Sequence, residues 1–249
     1  MAKINIITEA LKDGQSLGGS ASFYEDVNVD GETATVITKD GNYTIDYAEA
    51  GTQLMHNGNV LTPVSIEPME SQKDGKTYTF NESGMTWKMM IYGNNATLVG
   101  VDPQGTETYF MFSEVDGKLS MVDRFGTPVD LNVPVESFGF NGVERLGSNR
   151  GYIYSRSIPL LKHNIILGAG ADNFVLEFPQ QDIKSKLEFL GDPYVIIDKP
   201  HNMFLQMGIN DGCIALLVMY CTFRSLMLSQ TIKRILQIII ITYRLLDMV

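Results

Sequence analysis

The chain has 249 residues and a formal charge of −10, enough for one good-sized core plus an appendage, since domains run to about 100–150 residues. The charge is uneven: residues 209–249 carry Arg224, Lys233, Arg234 and Arg244 against Asp211 and Asp247, which leaves −12 on residues 1–208. Such an acidic surface, with no Lys/Arg cluster interleaved with aromatics, speaks against a nucleic-acid partner. The two cysteines, Cys213 and Cys221, speak against a disulfide scaffold, because a helix holds positions eight apart about 12 Å from each other.

The opening stretch MAKINIITEALKDGQS has no basic n-region followed by an apolar h-region and does not read as a signal peptide. Export is therefore expected to be directed from the C-terminal end or by sequence outside this chain. From Ser20 to Leu131 one grammar repeats: short runs rich in Val, Ile, Thr, Tyr and Phe, separated by Asp30-Gly31, Asp40-Gly41, Asn57-Gly58, Asp74-Gly75, Gly93-Asn94 and Asp116-Gly117. The runs Thr33–Thr38, Tyr43–Tyr47, Lys76–Phe80, Thr86–Tyr92, Thr106–Ser113 and Lys118–Asp123 alternate or nearly alternate in polarity. That period of two predicts antiparallel hairpins in an all-β sandwich or barrel-like domain over residues 20–133, following an N-terminal segment 1–19.

After Pro134 the pattern changes. Apolar positions Ile153, Tyr154, Ile158, Leu160, Leu161 and Ile165 suit an amphipathic helix interrupted near Pro159. A loop containing Gly168, Gly170, Pro179, Gly191, Pro193 and Pro200 follows, and residues 134–211 read as a helical loop region. The run Cys213–Phe223 is uncharged but too short to cross a membrane, which takes about twenty residues. Extension over 212–228 gives a marginal transmembrane helix if Arg224 snorkels, and 229–249 read as an amphipathic or degenerate tail. Basic residues follow the span, so residues 1–211 are expected outside the cytoplasm.

Four segments of this second region form a pattern: Asn149-Arg150-Gly151-Tyr152-Ile153-Tyr154; Ser157-Ile158-Pro159-Leu160-Leu161-Lys162; Leu167-Gly168-Ala169-Gly170-Ala171-Asp172-Asn173-Phe174; and Pro200-His201-Asn202-Met203-Phe204-Leu205-Gln206 leading to Gly212. In order and spacing they resemble the large outer loop of the O-antigen ligase and O-antigen polymerase family. There an arginine opens a helix, a G-x-G turn with Asn-Phe follows, and a His-Asn pair stands at the mouth of the next membrane helix. The resemblance covers about a quarter of the chain. It departs at Tyr154, where tryptophan is usual, and at Ile165, where relatives often have proline. Members of the family span the membrane many times, whereas this sequence offers one span.

The resemblance implies a glycosyltransferase that moves a glycan from undecaprenyl diphosphate to an acceptor hydroxyl, acting at the bacterial cytoplasmic membrane with the partner spans supplied elsewhere. His201 would be the general base, since an imidazole titrates near neutrality. Arg150 would hold the diphosphate through its planar fork, with Arg156 and Asn202 as substrate-binding residues. No metal or cofactor is called for, and no metal-ligand spacing is present. The ordinary reading of each residue stands beside this one. A lone histidine is more often structural, Arg156 suits a solvated helix face, and Asn202 suits a helix cap. His56 reads as a solvent-facing turn residue, His163 as the end of a helix, and Trp87 as core. Gly168-Ala169-Gly170 lacks the third glycine and the preceding strand of a dinucleotide-binding turn. Two further readings of the whole chain remain: a membrane-tethered extracytoplasmic β-domain that binds glycan or protein, and an inactive truncated product.

Overall fold

The computed structural model describes residues 22–246 except 49–50, 71, 73, 103–104 and 164; the opening segment, on which the signal-peptide reading falls, lies outside the described residues. The chain divides into two compact units, Met1–Arg156 with Pro179–Ile197, and Ser157–Phe178 with Asp198–Val249.

The first unit holds eleven described strands: β1 Tyr24–Asp30, β2 Thr33–Thr38, β3 Gly41–Ala48, β4 Gly51–His56, β5 Asn59–Val60, β6 Ser65–Pro68, β7 Lys76–Glu82, β8 Met85–Tyr92, β9 Asn95–Val101, β10 Glu107–Val115 and β11 Lys118–Met121. They form two antiparallel meanders, β1 to β5 in one sheet and β6 to β11 in the other, each strand beside its sequence neighbour. Neither sheet closes on itself, so the barrel-like alternative is corrected to two open sheets. The hairpin turns behave as their residues dictate: Asn57-Gly58 and Asp116-Gly117 hold both positions at positive φ, which matches the right-handed twist of the flanking strands. β2 alternates half-buried and buried residues along its whole length. β9 does not: Ala96 to Gly100 are all buried, which is why a search for alternation passes over it.

Both sheets contribute to one core around Trp87, which is fully buried. Its ring lies 4.3 Å from that of Tyr43 on β3 and 6.1 Å from that of Tyr24 on β1. Trp87 pairs across the ladder with Gly100, and a methyl group there would overlap the Trp87 ring and the Tyr24 hydroxyl. The core also takes Ile183 and Leu187 from helix α3 (Ile183–Leu190) together with Tyr194. The Tyr194 hydroxyl accepts from the Met111 amide at 2.8 Å, and Lys184 reaches Asn28 at 2.6 Å. The compact unit therefore extends beyond the boundary expected at residue 133. Helix α1 (Leu146–Ser157) also begins in it.

The second unit contains a 3₁₀ turn Ile158–Lys162, the short helix α2 Phe174–Glu177, α4 Met203–Asn210 and α5 Gly212–Leu246. Pro159 sits in the 3₁₀ turn, as its missing amide requires. Helix α5 is 35 residues long and continues past the end expected at Leu228 to Leu246, with no glycine or proline between Cys213 and Leu246 to stop it. Its section Gly212–Ile238 is long and apolar enough to cross a membrane, and almost none of it is buried inside the protein.

Leu187→Ala should lower stability of the first unit by about 2–5 kcal/mol, the range for a buried leucine. Urea unfolding followed through Trp87, the single tryptophan, measures it. An unchanged midpoint would show that the sheets hold together without α3.

Candidate functional site

His201 and Asn202 lie in the second unit, at the start of α4. Asn202 caps that helix: its Oδ1 accepts from the amides of Phe204 at 3.0 Å and Leu205 at 3.1 Å, satisfying two of the orphan donors of the first turn. His201, one residue earlier, is exposed and takes φ 54, in the left-handed region that side chains with a Cβ seldom occupy. The preceding Pro200 is buried. The imidazole is thus presented to solvent from a turn fixed on both sides, within one short helix of the apolar α5.

The far end of α4 is held by a backbone crossing. The amides of Ala169 and Gly170 donate to the carbonyls of Ile209 and Asn210, both at 2.8 Å, and the Cys213 amide donates to the Ile165 carbonyl at 2.8 Å. A Cβ at Gly168 would strike the Asn210 carbonyl, and one at Gly212 would strike that of Ile166. The Gly168-Ala169-Gly170 turn is therefore a packing device. Asn173 completes it, donating from Nδ2 to the Ala169 carbonyl at 2.8 Å.

Arg150 and Arg156 lie on α1, in the first unit. Gly147, Ser148 and Asn149 are all left-handed, with φ 64, 60 and 66, so regular helix begins only at Arg150. Arg150 is exposed. Arg156 points the other way: its Nε donates to Asp182 at 2.8 Å, Nη1 to Ser155 at 3.2 Å and Nη2 to Ser185 at 3.1 Å. Asp182 also accepts from the Tyr152 hydroxyl at 3.2 Å. The Arg156 and Asp182 side chains are only 13 % and 8 % exposed, and burial together with the Asp182 carboxylate holds the Tyr152 phenol well above its ordinary range. Arg156 thus serves an internal network, a role that its expected solvated helix face did not suggest. The two arginines share a helix, and His201 and Asn202 share a turn in the other unit.

His56, expected to face solvent from a turn, is the last residue of β4. Its ring stacks on Tyr43 with centroids 4.4 Å apart, and its Nδ1 lies 3.2 Å from Glu82. His163 closes the 3₁₀ turn and Trp87 is core, as expected of each. Lys186 was missed. It is 2 % exposed and its Nζ donates to the Gln180 carbonyl at 2.6 Å and Gln180 Oε1 at 3.2 Å. Its place three residues after Ile183, on the buried face of α3, was the available signal. Among the described residues no group of three or more His, Cys, Asp and Glu side chains is placed to hold a metal ion. No protein-family model matches the chain, and neither does any curated protein or solved structure.

Burial pushes Lys186 down to about 8, against the opposing pull of Asp182 and Asp192. An unfolded lysine titrates at about 10.4, so between these values the unfolded chain holds a proton that the folded one lacks. Stability should therefore rise from about pH 8 to about pH 10, by on the order of 3 kcal/mol in all, and fall beyond it as the unfolded tyrosines ionise. Urea midpoints at about pH 7.5 and 9.5 should show the rise in the wild type and lose it in Lys186→Met. An equal rise in that variant would assign the effect to another group.

Proposed function

We propose that the chain is the catalytic outer-loop portion of a glycosyltransferase of the O-antigen ligase and polymerase type, working at the bacterial cytoplasmic membrane with residues 1–211 on the extracytoplasmic side. The observation that carries this reading is His201: an exposed imidazole in a left-handed turn, locked by the Asn202 cap at the head of the helix that leads into the apolar α5. Strained backbone of this kind collects at functional positions. The surrounding Pro200-His201-Asn202 and the adjacent apolar helix also set His201 apart from a lone histidine.

In the proposed reaction His201 accepts the proton of the acceptor hydroxyl. The oxygen forms its new bond to the anomeric carbon while the bond from that carbon to the undecaprenyl-diphosphate oxygen breaks, and the diphosphate leaves with the electron pair. Arg150, exposed at the start of regular helix in α1, keeps the diphosphate-holding role that the resemblance implies for it. Asn202 contributes by fixing the turn. Arg156, engaged with Asp182, supports the helix that carries Arg150.

The first unit favours a second reading, a tethered glycan-binding domain. A cleft of about 800 Å³ in it is lined by Phe23, Lys39, Asp102, Glu107, Asn149 and Asp192, among others, and the buried Oδ1 of Asn149 has no hydrogen-bond partner there.

The test grafts residues 22–212, which keep α3 with the sheets it packs against, into a multi-span ligase in place of its own loop and reads glycan transfer. His201→Ala should reduce transfer about 10²–10⁴-fold, the usual worth of a general base. His201→Gly, which relieves the left-handed strain, should be inactive while folding at least as well as the parent. Transfer at the parental rate in His201→Gly would remove the general-base role. Glycan binding by the full chain that survives both substitutions, with no transfer in any graft, would favour the tethered domain.

A further inference from the structure

We propose that Ile165-Ile166-Leu167 is a membrane wedge that inserts into the lipid interface beside the entry of α5. Its partner is a phospholipid surface. The proposal rests on the membrane reading of α5 within the function proposed above.

Three consecutive apolar residues in a turn are 56 %, 61 % and 79 % exposed. A run of this kind on a soluble surface is unfavourable and marks an interaction site. Its position says what covers it. The Cys213 amide donates to the Ile165 carbonyl, and Gly212 packs against the Ile166 carbonyl and the Gly168 amide. The run is thereby fixed to the first turn of α5, inside the same compact unit. Whatever medium surrounds that turn also surrounds Ile165 to Leu167.

The span itself supplies a second argument. From Gly212 to Phe223 α5 carries no charge, and Arg224 is its first. Arg224 interrupts the apolar section Gly212–Ile238 after about 18 Å of uncharged helix, against a hydrocarbon core about 30 Å thick. Snorkelling of the Arg224 stem recovers part of the difference at one end. Extra apolar surface at the Gly212 end recovers more, and Ile165 to Leu167 lie there. The flanking charges agree with a shallow placement: Lys162 and His163 are exposed just before the run, where basic groups meet lipid phosphates. Asp211, exposed one residue before Gly212, remains on the water side.

The experiment places a fluorescent reporter in the full chain, reconstituted in phosphatidylcholine vesicles containing phosphatidylglycerol, with or without brominated acyl chains. Leu167→Trp reports the wedge. Val218→Trp, on an exposed position of α5, reports the span, and the buried Trp87 of the parent gives the background. Both added tryptophans should lose emission in brominated vesicles, and Leu167→Trp should lose more with bromine near the headgroup than near the chain end. Quenching at 218 without quenching at 167 would overturn the wedge and leave the span standing. Quenching at neither position would overturn the membrane reading and the wedge with it. No other protein is in the vesicles, so quenching at 167 cannot come from a protein partner.

Discussion

At Gly168 and Gly212 two stretches of backbone cross with no room for a side chain on either. Both glycines are left-handed, with φ 73 and 79, and a Cβ on either would meet a carbonyl of the other strand. Three backbone hydrogen bonds then tie the turn to the end of α4 and the beginning of α5. The second unit depends on this constraint. It sets where α4 stops, hence where the capped turn holding His201 stands relative to the apolar helix, and it keeps Ile165 to Leu167 against the first turn of α5. A larger residue at either glycine would part segments that carry the proposed base and the proposed membrane contact together, because both hang on one joint.

The first unit shows how far local chemistry reaches. Turn pairs such as Asn57-Gly58 set positive φ and strands such as Thr33–Thr38 alternate, and both are legible because they are short-range properties. What escaped has long-range causes. β9 is paired on both edges and buried from Ala96 to Gly100, which erases its alternation. Helix α3 lies beyond residue 179, yet Ile183 and Leu187 join a core begun at Tyr24. His56 looked like part of a turn because Asn57-Gly58 follows it, but its ring is placed by Tyr43 and Glu82, 13 and 26 positions away. In the candidate site, the cap at Asn202 was readable from its sequence alone. The left-handed φ of His201 and the inward direction of Arg156 were not, since each is decided by packing.

Helix α1 separates support from exposure. Arg150 and Arg156 are six residues apart, which at about 100° per residue places them on different faces. One faces solvent. The other spends its guanidinium on Asp182, Ser155 and Ser185. A buried pair of this kind adds little net stability relative to a well-packed apolar pair, yet breaking it costs about 3–5 kcal/mol by stranding a charge. Loss of Arg156 would therefore act on the fold first, and any effect on a substrate held by Arg150 would follow from the helix that both share.

The backbone at His201 carries the remaining step. The chain must turn between the buried Pro200 and the cap at Asn202, whose own backbone is extended, with φ −142 and ψ 115. A single left-handed residue accomplishes this, and glycine would do it without the roughly 1–2 kcal/mol that a side chain with a Cβ incurs there. Histidine is among the side chains that enter this region more readily than most, and here it leaves the imidazole exposed. Asn57, Asp116 and Phe140 hold the same region, so the angle at His201 fixes how its side chain is mounted and leaves its use to the proposal above. The result is an exposed imidazole mounted rigidly one residue ahead of the α4 cap, the geometry on which the proposed proton transfer rests.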